Sequence, residues 1–337
     1  MLMKKTETPM EQTVALLRER SKESLKIAKK CVQQEKICYK PIQEALNYFI
    51  EVLFRDITQP GLLSLYCEAV GGNPDETRQV GAALVLLVGA ADLHDDLIDG
   101  SKIKNQKPTV LGKFGKEITV LTGDALLIEG IYLLHKATEN YSAKKRNAIL
   151  GLIKQAFFDL SSAEAEETSH RGRNDLTAEQ YLLIIQKKVA VSEATARIGA
   201  ILANGTNEDL ETLGEMGRVL GLLNTLRDEF IDVYEAEELE NRCANEVLPL
   251  PILFVFRDPA KRKELIKLLG NRKITSKRAE KILDIVLAAK EADELRQIMK
   301  SEIQETLRRL VDLKTGKEPF RLLLESSLED LEPKVAS

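Results

Sequence analysis

Along nearly the whole chain apolar residues recur three and four positions apart, the spacing of amphipathic helices, and short Gly, Pro and Asn clusters interrupt them. The interruptions fall at Thr58-Gln59-Pro60-Gly61, at Gly71-Gly72-Asn73-Pro74 and across Gly100 to Gly115. Others lie at Asn140-Tyr141-Ser142, His170 to Asn174, Asn204-Gly205-Thr206, Pro249 to Pro251 and Asp258-Pro259. No repeat or linker divides the pattern. It predicts one all-α domain over residues 1–337, with 1–10 and 328–337 peripheral. The amphipathic segments Glu11 to Lys30 and Lys277 to Asp312 either cover the core or serve an interface. The charged tail beyond Lys314 is peripheral, though Phe320 to Leu324 could dock.

Two helices have well-marked ends. Asn73 is a good N-cap, Pro74 suits the first helical position, and Glu76 stands where a capping box needs it. That helix runs through the apolar stretch from Val80 to about Ile98, and Gly100 stops it. Apolar almost all round, it belongs in the core. The second follows Gly205, with Thr206 as cap and Glu208 and Asp209 favouring the helix dipole in the first turn. It continues through Leu220-Gly221-Leu222-Leu223 to about Glu235.

Composition narrows the classes. Apolar residues make up 44% and charged ones 30%, which suits a sizeable core under a soluble surface. There is no Trp and aromatics reach 5%, which favours helix over sheet. A net charge of −4 gives no electrostatic case for general nucleic-acid binding. Cys31, Cys38, Cys67 and Cys243 are scattered, so a reduced, cytoplasmic chain is expected. Met1 to Arg20 lacks a secretory core, and the longest apolar run, Val80 to Ala91, is too short to span a bilayer.

Each marked helix ends in carboxylates. The first reads Asp92-Leu93-His94-Asp95-Asp96-Leu97-Ile98-Asp99, which puts Asp92, Asp95, Asp96 and Asp99 on one face. Like charges repel there, at the helix end that disfavours anions, so something positive should offset them. The second reads Arg227-Asp228-Glu229-Phe230-Ile231-Asp232. The plain reading of either cluster is a solvated acidic face. It fits the first poorly, because Asp95 follows an apolar run and precedes Leu97-Ile98. All-oxygen ligands suit hard cations such as Mg²⁺, which keeps waters while bridging carboxylates to a diphosphate. His94 has no nearby partner for zinc and reads as a structural residue.

The stretch His94-Asp95-Asp96-Leu97-Ile98-Asp99, a basic segment, Lys107-Pro108-Thr109-Val110, Phe114-Gly115 and Leu121-Thr122-Gly123-Asp124 resembles the trans-isoprenyl (polyprenyl) diphosphate synthases. Asp228 to Asp232 resembles their second aspartate-rich motif, Lys187-Lys188-Val189-Ala190 their Lys-Thr-Ala segment, and Leu248-Pro249 their Leu-Pro segment. The likeness spans roughly residues 45 to 256. It implies a single large helical bundle of the isoprenoid synthase type I kind around a central apolar cavity. It also implies three Mg²⁺ ions with bound diphosphate, an allylic prenyl diphosphate as substrate, and a homodimer. By position Asp95, Asp96 and Asp99 bind two metals, Asp228 the third, and Asp232 supports. Lys188 and Lys104 are cationic contacts to the allylic diphosphate, with ordinary surface lysines as the plainer reading. Thr225 stands in for a substrate-side Gln, while Ala90 and Ala91, with Leu87, lie below the motif where bulk sets tail length. With no aromatic there, a tail of about C15 or longer is expected.

The chain departs from that family where isopentenyl diphosphate would bind. Asp56 and Ile57 occupy the places of a lysine and an arginine, with Arg55 adjacent. Val88 replaces a histidine, and Asn105, followed by Gln106, an arginine. On the allylic side Thr becomes Val189, an Asp becomes Glu229 and a Lys becomes Asn245, with Arg242 or Arg227 as candidate substitutes. Chain elongation is therefore in doubt. The readings are an elongating prenyltransferase, placed first; a terpene synthase-like enzyme that ionises a prenyl diphosphate toward another acceptor; and a non-catalytic partner of an active synthase.

Overall fold

The computed structural model describes residues 7–54, 57–104, 106–172, 176–270, 274–310, 317–329 and 331. Within them the chain is helical. Its first half comprises α1 (Pro9–Gln34), α2 (Lys40–Tyr48), α3 (Thr58–Ala69), α4 (Arg78–Asp99), α5 (Val110–Phe114), α6 (Lys116–Thr138) and α7 (Ala143–Thr168). The second half adds α8 (Ala178–Lys188), α9 (Ala190–Leu202), α10 (Asn207–Tyr234), α11 (Ala236–Asn245), α12 (Leu250–Val255) and α13 (Pro259–Leu269). It closes with α14 (Ser276–Leu287), α15 (Lys290–Arg309) and α16 (Lys317–Ser326). Among the described residues the sheet is one two-stranded hairpin, β1 (Ile103–Lys104) against β2 (Lys107–Pro108).

The helix with the apolar run is the axis of the first half. Asn73 caps a 3₁₀ turn, Pro74–Thr77, which delivers the chain into α4. The cap differs from the expected box: the Asn73 side chain accepts from the Asp75 N–H, and the Glu76 N–H donates to the Asn73 carbonyl. Val85, Leu86, Leu87 and Leu93 of α4 are buried against Leu126 and Leu134 of α6 and Ile153 of α7. Close approach of α6 depends on small residues. A Cβ at Gly123 would stand 2.5 Å from His94 Nε2, so the two helices meet directly beneath the first aspartate cluster. Gly100, at φ 67°, ends α4 in the left-handed conformation.

Helix α10 is the axis of the second half. Thr206 and Asp209 form the capping box, and the helix ends at Tyr234. Leu220, Leu223, Leu226 and Phe230 pack against Tyr181 and Ile185 of α8 and Leu295 and Met299 of α15. Phe320 is buried and stacks on Tyr66 of α3, so the segment Phe320 to Leu324 does dock.

Three expectations differ in detail. Thr58 to Gly61 is not a break but the opening of α3. Pro60 is third in that helix, where the N–H has no helical partner to lose. At the chain ends Pro9 and Met10 already belong to α1, and Leu331 is buried, its carbonyl accepting from Arg296. Helix α6, not the Val80 to Ala91 run, is the one described element long and apolar enough by length and composition to cross a membrane, and it packs along α4 in the bundle.

Candidate active site

The last turn of α4 carries the first cluster, and the protein's own cations meet it. Lys104, on the hairpin that follows, sits 2.8 Å from Asp96 Oδ1 and 3.8 Å from Asp95 Oδ2. Arg171, just beyond α7, donates to Asp99 and to the Ile98 carbonyl. Burial raises the Asp96 carboxyl, with Lys104 pulling against it. Asp99 is pushed up to about 8 by burial and then by Asp95 and Glu246, against Arg171 and Lys188. Negative charge here exceeds what the local cations balance.

Lys188 ends α8 and lies 3.0 Å from Glu164 Oε1, with Glu167 bonded to the same ammonium. Burial alone would lower its pKa; Glu167, Glu164 and, more distantly, Asp95 outweigh it and hold the lysine charged. The same competition, won by Asp96 and Asp95, holds Lys104 charged. From Lys188 a buried chain runs to α10. Tyr181 Oη is 3.0 Å from Glu167 Oε1 and 3.0 Å from Glu229 Oε1. Arg242 donates to both Glu229 oxygens, to Tyr181 and, at 3.0 Å, to Asp232 Oδ2. The Leu250 N–H donates to Glu229 as well.

That network places two residues the sequence left open. Arg242 is buried inside it, its guanidinium engaged by Glu229, Tyr181 and Asp232. Glu229 is turned into the core, where Arg242, Tyr181 and the Leu250 N–H surround it. The other arginine, Arg227, instead lines a recess with Thr225 and Asp228. Burial raises Asp228 to about 6 and Asp232 to about 7, in each case against an arginine, Arg227 and Arg242 respectively. Glu238 and Glu246 of the α11 region join the two clusters electrostatically, Glu238 with Lys104 and Asp96, Glu246 with Asp95 and Glu167.

Beneath the first cluster lies a cavity of about 780 Å³ between α4, α6 and α7. Asp92, Asp95 and Glu164 stand at one part of its wall; Ala90, Ala91, Leu127 and Leu160 supply apolar lining. The expectation of no aromatic there holds for α4 alone, because Phe157 enters the lining from α7. Leu87 packs on the α6 backbone at Gly130.

The sequence-predicted residues thus divide. Asp95, Asp96, Asp99, Lys104 and Lys188 share one electrostatic field above the cavity that Ala90 and Ala91 line. Asp232 reaches that field through Arg242, while Asp228 and Thr225 face the second recess. Arg55, Asp56 and Asn105 lie outside the described residues. Sequence reasoning missed Glu164, Glu167, Arg171, Tyr181 and Glu246. A signal existed for Glu164 and Glu167, three apart and so on one face of their helix.

Among the described residues no three His, Cys, Asp or Glu side chains converge to enclose one ion. An all-carboxylate set with raised protonation and excess charge still fits Mg²⁺, which takes only one or two carboxylates per ion and completes its shell with water and phosphate oxygens.

Comparison with known proteins identifies the group to which this architecture belongs. The polyprenyl synthetase family model matches residues 39–286. The chain belongs to the polyprenyl synthetase family. A short chain isoprenyl diphosphate synthase from Methanothermobacter thermautotrophicus is 29% identical over 181 residues, covering 53% of this chain and 55% of that one. The chain therefore spans about half the length of that curated relative. A geranylgeranyl pyrophosphate synthetase from Pyrococcus horikoshii superposes with a TM-score of 0.83 at 20% identity, over 96% of this chain and 99% of that one. A polyprenyl synthase from Caulobacter crescentus, solved with calcium and isoprenyl diphosphate, superposes with a TM-score of 0.78 at 19% identity, over 96% and 98%. Both likenesses are to the all-α fold of these synthases.

Proposed function

We propose that this chain is a prenyltransferase that ionises an allylic prenyl diphosphate, holding the tail in the α4–α6–α7 cavity and the diphosphate at the first aspartate cluster. One observation carries the reading: a large apolar cavity whose wall includes Asp92, Asp95 and Glu164, so one ligand would meet greasy walls at one end and cation-seeking oxygens at the other. Family membership supports the same class of reaction.

Asp95, Asp96 and Asp99 would hold Mg²⁺ on one side, with Asp228 and Asp232 on the other. Bound there, the metal would supply positive charge to the leaving diphosphate and so favour cleavage of the C–O bond to an allylic cation. The protein's part is positional. Lys104, 2.8 Å from Asp96 Oδ1, would be free to meet a phosphate oxygen once Asp96 held a metal ion. Lys188, poised by Glu164 and Glu167, supplies a second point charge. Glu229 and Arg242 fix Asp232 and, through Tyr181, the Glu167 carboxylate. The cavity wall keeps water from the cation.

We also read the molecule as a homodimer, through the open side of α6. Leu121, Ile128, Ile131 and Tyr132 form an exposed apolar stripe there, with Ile128 65% exposed.

Radiolabelled farnesyl diphosphate with Mg²⁺ tests the first claim. Diphosphate should be released, and Asp95→Ala should slow release by about two orders of magnitude or more. A variant as fast as the parent chain removes Asp95 from the site.

A further inference from the structure

The cations round the first aspartate cluster are held in two different ways. Lys188 is engaged by Glu164 and Glu167, neither of which is among the proposed metal ligands. Lys104 and Arg171 are engaged by Asp96 and Asp99, which are. Of these cations Arg171 is the one that no sequence motif assigned. The turn after α7 carries it: the His170 N–H donates to the Glu167 carbonyl, the Arg171 N–H donates to the Thr168 carbonyl, and Gly172 follows at φ 66°. Its side chain is 27% exposed, so a ligand can reach it. With Asp99, Gly100 and Asn245 it lines a recess of about 400 Å³, and Ile98 is common to that recess and the wall of the tail cavity. The two arms of the guanidinium have different partners. Nη1 donates to the Ile98 carbonyl at 2.7 Å, one of the last four carbonyls of α4, which have no partner within the helix. Nη2 donates to Asp99. Once Asp99 held a metal ion, Nη2 would lose most of that bond, because the two cations compete for the same oxygens and repel each other. The Ile98 carbonyl takes no part in that competition. Nη1 would therefore keep the side chain at the rim of the cluster while Nη2 turned to an incoming anion. A phosphate oxygen suits it, since a guanidinium offers its N–H groups as a fixed planar fork.

We propose that Arg171 is a diphosphate-binding residue covered by Asp99 in the metal-free protein, and that its Nη2 arm passes from Asp99 to the diphosphate when Asp99 takes a metal ion. This rests on the placement of the diphosphate at the first cluster, proposed above. One side chain then has two opposed effects. Toward Mg²⁺ alone Arg171 is a competitor for Asp99. Toward diphosphate on the Mg²⁺-loaded protein it is a contact. An arginine that only capped α4 would not be a contact, and its charge would have no bearing on diphosphate.

Arg171→Gln separates these roles, because a glutamine amide can still donate to the Ile98 carbonyl but carries no charge. Mg²⁺, and then inorganic diphosphate, are titrated into the full chain by isothermal calorimetry. Mg²⁺ alone should bind the variant a few-fold more tightly than the parent chain, since no partly exposed ion pair has to be broken. Inorganic diphosphate added to the Mg²⁺-saturated variant should bind about tenfold more weakly, the loss of one charge-assisted hydrogen bond. Arg171→Lys keeps the charge without the fork, so it should return the Mg²⁺ affinity to the parent's and recover only part of the diphosphate affinity. An unchanged diphosphate affinity in Arg171→Gln, or both affinities moving in the same direction, overturns the proposal. So does a parent chain that binds no diphosphate in the presence of Mg²⁺. Ionisation is read separately, as release of diphosphate from farnesyl diphosphate. The expected binding pattern without that release sinks the ionisation reading and leaves Arg171 in its role; release with an unaltered diphosphate affinity does the reverse.

Discussion

At the scale of single residues, the site stores unfavourable charge, and that has a signature in pH. Asp99 is held near 8, Glu246 near 7, and Asp228 near 6, each mainly by burial. In an unfolded chain the same groups titrate near 4. Between about pH 4 and 8 the folded protein therefore holds protons that the unfolded one has released. Stability is greatest at the acid end of that window and falls as pH rises through it. The metal-free protein should show a lower midpoint of thermal unfolding at pH 8 than at pH 5. A midpoint that rises over this interval would mean that burial does not hold these carboxyls protonated. Mg²⁺ with a prenyl diphosphate should restore more of the midpoint at pH 8, where fewer of these carboxyls hold a proton that it must displace.

At the scale of elements, what the sequence made legible was whatever a single helix encodes. Asn73, Gly100, Thr206 and the apolar run from Val80 marked both axial helices within a few residues. The face shared by Asp95, Asp96 and Asp99 followed from helical spacing alone. What crosses between helices was not legible. Phe157 stands on α7, and nothing in its local sequence says that it lines the same cavity as Ala91. Glu229 read only as a departure from an aspartate, because its partners, Arg242, Tyr181 and Leu250, are distant in sequence or on other elements. Cavity size is likewise a property of several helices together. Ala91 is half-buried and lines the cavity below the cluster, so Ala91→Phe would place a ring opposite Phe157's helix. The variant should still release diphosphate from geranyl diphosphate while turnover of geranylgeranyl diphosphate falls at least about tenfold, a steric exclusion. Equal turnover of both lengths would put the tail elsewhere.

At the scale of the whole molecule, α6 joins the active site to the surface. Its inner side meets α4 at Gly123 and Gly130, below the aspartates and along the tail cavity. Its outer side exposes Leu121, Ile128, Ile131 and Tyr132. Positions three, four and seven apart fall on one face, so these side chains form a stripe rather than scattered exposures. An exposed apolar patch on a long helix is costly in water and marks an interaction surface, here with the exposed Asp124 standing between Leu121 and Ile128. A second copy of the chain, related by a twofold axis, presents the same stripe and can cover it without further machinery. The consequence reaches inward, because Leu127, a wall of the tail cavity, follows Leu126 and precedes Ile128 on this helix. Pairing would stiffen α6 and with it that wall. Ile128→Asp puts a carboxylate in the middle of the stripe, where it would be desolvated without a partner. In light scattering after size-exclusion chromatography the parent chain should have twice the mass of one chain, and the variant the mass of one. A parent chain of single mass, or a variant that stays double, would assign the stripe to something other than self-association.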